Sequence, residues 1–295
     1  MAVLPGILVY MEILWIILIV TNNFFIIVVV ISHKSLRCTI NNLLLCLFTG
    51  NLCYGISTAS SLALFIVPNL MKDCCYCCLW NITFKLFTAL VIFYSLIAIT
   101  VDRYIAVFYP LRYPEIVKPR LVKITVISIW TISFLTGGLP LLWNKSGSQI
   151  NRNPVCAFLS MITNSYIWTF IIPPAIFTDV IILYVYLRIC LLKCRQRRQV
   201  GVMASDICGY YPRSNTKTNA VLGIIIFSSV FALTPFLIAV ILITSGVKIS
   251  NIDLLSSVTY ELTFINPMFT PVIFGWRNEN FNKVLKTLID KKVSF

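Results

Sequence analysis

Long apolar runs separated by short polar segments dominate the chain. Seven of them reach the roughly 20 residues that a helix needs to cross a hydrocarbon core about 30 Å thick. They fall near residues 7–31, 40–67, 78–107, 121–142, 165–192, 219–244 and 254–274. Backbone groups in lipid must be paired within their own segment, so each run is expected to be a helix. After the last run, Phe281, Val284, Leu285 and Leu288 recur at helical spacing, with Lys283 and Lys286 on the other face. That pattern predicts a short amphipathic helix over 276–290, lying along the interface. The expectation is an all-α membrane protein, one seven-helix domain over residues 1–295.

Composition agrees: 59% of the 295 residues are hydrophobic, 12% are charged, and the mean hydropathy is +0.90. A soluble domain does not look like this. The net charge of +14 suggests nucleic acid until its distribution is read. Nineteen of the 24 Lys and Arg fall in the segments 32–39, 103–123, 188–217 and 277–292, on one side of the expected bundle. The positive-inside rule makes that side cytoplasmic and puts the N-terminus outside, in a multi-pass plasma-membrane protein. The charge is a topology signal, and no nucleic-acid partner is expected. Met1 to Ile31 has neither a charged n-region nor a small-residue cleavage site, so the first helix is expected to stay uncleaved.

Polar residues inside apolar runs need reasons. Thr21, Asn22 and Asn23 are expected to face other helices. Lys85 lies eighteen residues before Arg103, five helical turns away on the same face. An intramembrane Lys faces a cavity or a partner and marks a candidate functional site. Burial disfavours its charge and a nearby carboxylate restores it, which makes Glu261 a possible partner. The alternative is a Lys that snorkels to the headgroups. The run Asp73-Cys74-Cys75-Tyr76-Cys77-Cys78 and Cys156 fall on the oxidising side, where disulfides form, and Cys190, Cys194 and Cys208 on the reducing side. Asn144-Lys145-Ser146 is a glycosylation acceptor sequence on the outer side, whereas Asn81-Ile82-Thr83 falls inside a helix and is discounted.

The third run ends T-V-D-R-Y-I-A-V-F-Y-P-L-R-Y, with Asp102, Arg103 and Tyr104 followed by Pro110 and Leu111. This stretch resembles the D-R-Y segment and following loop of rhodopsin-like G protein-coupled receptors. The resemblance covers nearly the whole chain. Asn23 matches the asparagine kept in the first helix of that family, Pro235 in F-A-L-T-P-F-L matches the kink of the sixth, and Thr270-Pro271-Val272-Ile273-Phe274 stands for N-P-x-x-Y. The loop L-R-Y-P-E-I-V, Trp130 in I-S-I-W, and the closing pattern from Pro267 to Asn278 look like the odorant-receptor branch, including a fish-type branch. Departures are clear. Asn51 replaces the usual aspartate, Ile92 a serine and Thr270 an asparagine, so no sodium site or other metal site is expected. Leu233 stands where a tryptophan is common, and Asn215 where the sixth helix often begins with an acid.

The resemblance implies a Cys78–Cys156 disulfide, with another of the clustered cysteines as the alternative partner and Cys74, Cys75 and Cys77 left to pair among themselves or stay free. It implies coupling to a heterotrimeric G protein through Asp102, Arg103, Tyr104 and Leu111. Activation would involve Tyr184, Tyr186, Pro235, Thr270, Pro271 and Phe274, either tyrosine swinging toward Arg103. The basic run K-C-R-Q-R-R suits anionic headgroups of the membrane lipids and an acidic G protein surface alike. A ligand pocket is expected between the outer halves of helices three, five, six and seven, lined by Lys85, Leu86, Ala89, Phe236, Val240, Tyr260 and Phe264. With Lys85 as anchor, the ligand is expected to be small, anionic or carbonyl-bearing, and odorant-like. No cofactor is expected. The alternatives are a non-olfactory receptor of the same family for a lipid or small metabolite and, more distantly, a transporter, although no internal repeat is visible. An enzyme is not expected: the one histidine, His33, lies in a loop and the acids are scattered.

Overall fold

The computed structural model describes residues 3–33, 36, 39–66, 75–143, 162–203, 213–247, 251–277 and 281–287. Regular structure among them is entirely helical. α1 spans Val3–Ser32, α2 Thr39–Ile66, α3 Cys75–Phe108 and α4 Pro119–Trp143, with one helical turn, Tyr113–Ile116, between α3 and α4. A π-helical stretch, Ile167–Ile171, leads into α5, Ile172–Met203. α6 spans Arg213–Thr244, α7 Ile252–Leu262 and α8 Ile265–Arg277, while residues 281–287 form α9.

Among the described residues, five stretches are long and apolar enough to cross a membrane: Ile7–Ser32, Ile40–Leu64, Cys77–Phe108, Pro119–Leu142 and Asn164–Leu192. α6 adds the apolar stretch Ser228–Thr244, and α7 with α8 makes the seventh pass in two pieces. The result is a seven-helix bundle. α2 packs against α1 and α3, α4 against α3, and α6 against α7 and α8. Ile19, Leu47, Phe48, Leu96, Ile99 and Phe264 form the centre of the core, while Ile127, Phe134 and Phe177 point outward. Apolar exteriors are what a lipid solvent permits.

Prolines explain the irregularities, because each lacks the N–H that would pair with the carbonyl four residues back. Pro271 leaves the Pro267 carbonyl free, and Asn23 Nδ2 of α1 donates to it at 2.9 Å. Pro140 leaves the Thr136 carbonyl free, and the Tyr166 hydroxyl donates to it at 2.8 Å. Pro267 has no N–H for the Thr263 carbonyl, and the seventh pass breaks there, at Thr263 and Phe264. The π stretch lies just before Pro173 and Pro174; Ile172 N–H bonds back to the Ile167 carbonyl, five residues away.

Close helix approach needs small residues. A Cβ at Gly137 of α4 would lie 2.7 Å from Phe87 Cα of α3, so only glycine fits this crossing. Trp130 packs beside it, edge-on to Phe87 at 5.7 Å, between α3 and α4. α9 buries Phe281, packs Val284 and Leu285 on the core and exposes Lys283 and Lys286.

Candidate functional site

α3 carries two polar clusters, one near each end. At its C-terminal end, Asp102 is 4% exposed and Arg103 12%. Arg103 Nη2 and Nε donate to Asp102 Oδ2 at 2.5 and 2.9 Å. The Tyr113 hydroxyl, from the helical turn after α3, donates to Asp102 Oδ1 at 2.9 Å. Asp102 therefore has both oxygens engaged, and the turn that supplies Tyr113 holds the arginine indirectly. Charge-assisted bonds of this type contribute about 1.5–3 kcal/mol each. Tyr104 stacks on Phe108 at 4.5 Å. The Arg188 guanidinium of α5 sits over the rings of Phe108 and Tyr184, at 5.9 and 6.0 Å. Tyr184 is exposed and Tyr186 half-buried; among the described residues neither hydrogen-bonds to Arg103. Leu111, in the loop after α3, is 93% exposed.

Between the two clusters, α1, α2 and α8 meet through neutral side chains, with Asn51 Oδ1 left without a hydrogen-bond partner. Asn23 Oδ1 accepts from Asn51 Nδ2 at 3.2 Å. Thr270 spends its hydroxyl on Asn266, donating to the backbone carbonyl at 2.7 Å and lying 2.8 Å from Oδ1. Ile92 is buried in the same core. Phe274 packs edge-on to Phe48 and to Phe281 of α9, at 5.4 and 5.8 Å, tying α9 to α2. Pro271 lies within α8 and Pro235 within α6.

Toward the other end of α3, Lys85 Nζ donates to the Tyr260 hydroxyl of α7. Its ammonium also lies over the rings of Tyr260, Phe264 and Tyr54, at 4.8, 5.8 and 5.5 Å. Glu12 of α1 neighbours both Lys85 and the Tyr260 hydroxyl. Glu261 acts on Lys85 electrostatically and accepts a hydrogen bond from Trp15 Nε1 at 2.9 Å. A lysine inside an aromatic box, faced by two carboxylates, thus joins α1, α2, α3 and α7. The side chain turns into the bundle, and its direct hydrogen bond goes to Tyr260 rather than to Glu261.

The other residues expected around the ligand fall into two groups. Ala89 and Tyr260 pack on the main core, in which Phe264 is fully buried. Leu86 and Phe236 pack around Val240, together with Ile82, Tyr166 and Ile167. Phe236 and Tyr260, 6.0 Å apart, link the groups. One cavity among the described residues lies elsewhere. It measures about 500 Å³ between α6 and α7, and of the residues singled out in the sequence it includes Pro235 alone. Cys77 and Cys78 are both disulfide-bonded, so Cys77 is not free; Cys156 and Asn144 lie outside the described residues. Asn81 is engaged between helices, accepting from Ser61 Oγ and donating to Ser60 Oγ, both at 2.5 Å.

Sequence reasoning missed Glu12, Trp15, Tyr54 and Tyr113. Glu12 had a signal, a lone acid in an apolar run. The others look like ordinary membrane aromatics until the helices are packed.

The chain matches the model of the 7 transmembrane receptor (rhodopsin family) over residues 22–274. It is 23% identical over 232 residues to adenosine receptor A2b of Gallus gallus, covering 72% of this chain and 68% of that one. Against adenosine receptor A2b of Homo sapiens it is 23% identical over 236 residues, with 73% and 70% coverage. Adenosine receptor A2a of Canis lupus familiaris is 28% identical over 240 residues, which is 74% of this chain and 57% of the relative. These relatives are adenosine receptors and not odorant receptors. A transmembrane helix bundle with Asp102–Arg103 at the end of α3, matched across 22–274, is a signalling receptor and not an enzyme: the chain belongs to the rhodopsin family of seven-transmembrane receptors.

Proposed function

We propose that the chain is a plasma-membrane receptor, N-terminus outside, that binds a small metabolite through the Lys85 cluster and activates a heterotrimeric G protein at the Arg103 end. The observation that carries this reading is the clamp on Arg103. Its guanidinium is bound to a carboxylate that the following loop also holds, which is a resting arrangement with something to release. A ligand that favours the released arrangement shifts the population toward it. Arg103 and the exposed Leu111 then meet the G protein.

Two features support a metabolite over an odorant. The similar proteins found are named adenosine receptors, so a polar small molecule has precedent among relatives. The Lys85 cluster is polar and charged, whereas a volatile odorant needs little beyond apolar surface. Because Glu12 and Glu261 already face Lys85, the ligand best suited to the cluster brings donors as well as acceptors. A bare carboxylate meets repulsion from both glutamates. The odorant reading remains the second one, favoured by the L-R-Y-P-E-I-V loop and the Pro267–Asn278 pattern.

The test is cyclic AMP and calcium output from cells displaying the chain, challenged with nucleosides, amino acids, amines, carboxylic acids and odorant mixtures, with Lys85→Ala and Arg103→Ala as controls. A response to a polar metabolite that needs both residues supports the reading. A response confined to apolar odorants and indifferent to Lys85 overturns the ligand assignment.

A further inference from the structure

Asp179 is an acid in the middle of the apolar run I-P-P-A-I-F-T-D-V-I-I-L of α5, and neither polar cluster on α3 uses it. An ionisable side chain at membrane depth is costly and is kept where it faces protein and finds a partner. Asp179 is half-buried, and its partner is on the neighbouring helix: Thr234 Oγ1 of α6 lies 3.2 Å from Asp179 Oδ2. The hydroxyl has one proton, shared between Asp179 and the Val230 carbonyl one turn earlier, 2.7 Å away. Thr234 immediately precedes Pro235, which has no N–H for the Phe231 carbonyl, so α6 is most easily bent at this turn.

The other flank of the turn is loosely filled. Val230, Phe231, Thr234, Pro235, Ile238 and Ala239 line the apolar cavity of about 500 Å³, with Leu255 and Thr259 of α7 on its other wall. Phe231, Ile238 and Leu255 are exposed there, so the cavity opens to the lipid, whose chains yield where packed side chains do not. At its proline, α6 therefore has a directed polar contact to α5 on one side and deformable surroundings on the other.

We propose that Asp179 is a positioning residue: its bond to Thr234 clips α6 to α5 at the Pro235 turn in the resting arrangement, and opening the clip sets how readily α6 moves. The proposal rests on the receptor reading for its signalling consequence, though not for its structural one. The variants are Asp179→Leu and Thr234→Val, singly and together, with Asp179→Asn and Thr234→Ser, which keep a hydrogen-bonding partner, as rescues. Leucine is at home in a lipid-embedded helix, so the chain still inserts.

Two readouts separate the claims. Hydrogen exchange of the α6 amides over 232–239, in detergent-purified protein, reports the clip without any signalling. Basal G protein output at matched surface amounts reports its consequence. The expected result is exchange about fivefold faster in D179L and T234V, the scale of one net hydrogen bond, no further gain in the double variant, and parent-like exchange in D179N and T234S. Basal output is expected to rise by a similar factor and to need Arg103. Unchanged exchange in D179L overturns the clip whatever the output does. Faster exchange with no G protein output from any variant leaves the clip standing and overturns the receptor reading.

Discussion

Tyr113→Phe isolates one bond of the Arg103 clamp. The substitution removes a hydroxyl that donates to Asp102 Oδ1 at 2.9 Å and leaves the ring, which packs against the core, in place. A hydrogen bond to a charged acceptor contributes about 1.5–3 kcal/mol net, and Asp102 is buried enough for that range to apply. If Tyr113 meets Asp102 only in the resting arrangement, the released population rises by the corresponding factor, about 10- to 100-fold at 1.4 kcal/mol per decade. A receptor active about 1% of the time at rest would become active for about 10% or more of it. The assay is ligand-free second-messenger output at matched surface amounts, with Tyr113→Phe/Arg103→Ala as the control that removes the signal. Basal output equal to the parent's would refute the reasoning, because it would mean that the bond survives into the active arrangement or contributes nothing to holding Arg103.

Three further outcomes follow from the packing. Asn23→Ala leaves the Pro267 carbonyl and the Asn51 amide without their partner; at about 1–3 kcal/mol per buried unpaired group, the melting temperature in detergent should fall by several degrees. Gly137→Ala drives a Cβ to 2.7 Å from Phe87 Cα and should sharply reduce folded receptor, while Gly138→Ala, with nothing within 4 Å, should behave like the parent; equal surface amounts for the two would contradict the α3–α4 crossing. Lys85→Ala leaves Glu12 and Glu261 without their neighbouring cation and should lower the melting temperature of the ligand-free receptor, with Lys85→Arg closer to the parent.

Much of this architecture is legible in the chain itself, because a membrane solvent makes simple demands. Seven apolar runs must be helices, and the acid-base pair Asp102–Arg103 at the end of one of them marks the end proposed to meet the G protein. Asn23 is legible as a residue needing a helix partner, although the partner, a carbonyl freed by Pro271, emerges only once α1 and α8 are packed. Lys85 announces itself through its cost in lipid. Its surroundings do not: Tyr54 and Trp15 are amphipathic residues common in any membrane helix, and only the packing of α1 and α2 turns them toward Lys85 and Glu261. Tyr113 is unreadable for a different reason. Its contact with Asp102 depends on a loop that folds into one helical turn, and no periodicity encodes that reversal. The break in the seventh pass could have been read from Pro267 and the carbonyl it strands.

A ligand-operated switch built on Arg103 stands or falls on nucleotide exchange. The purified chain in lipid nanodiscs is mixed with heterotrimeric G proteins of each class, and guanine-nucleotide uptake is followed for the parent, Tyr113→Phe and Arg103→Ala. The expected result is exchange above the protein-free rate with at least one class, faster with Tyr113→Phe and abolished with Arg103→Ala. Exchange that is indifferent to Arg103, or absent with every class even for Tyr113→Phe in folded protein, would contradict it.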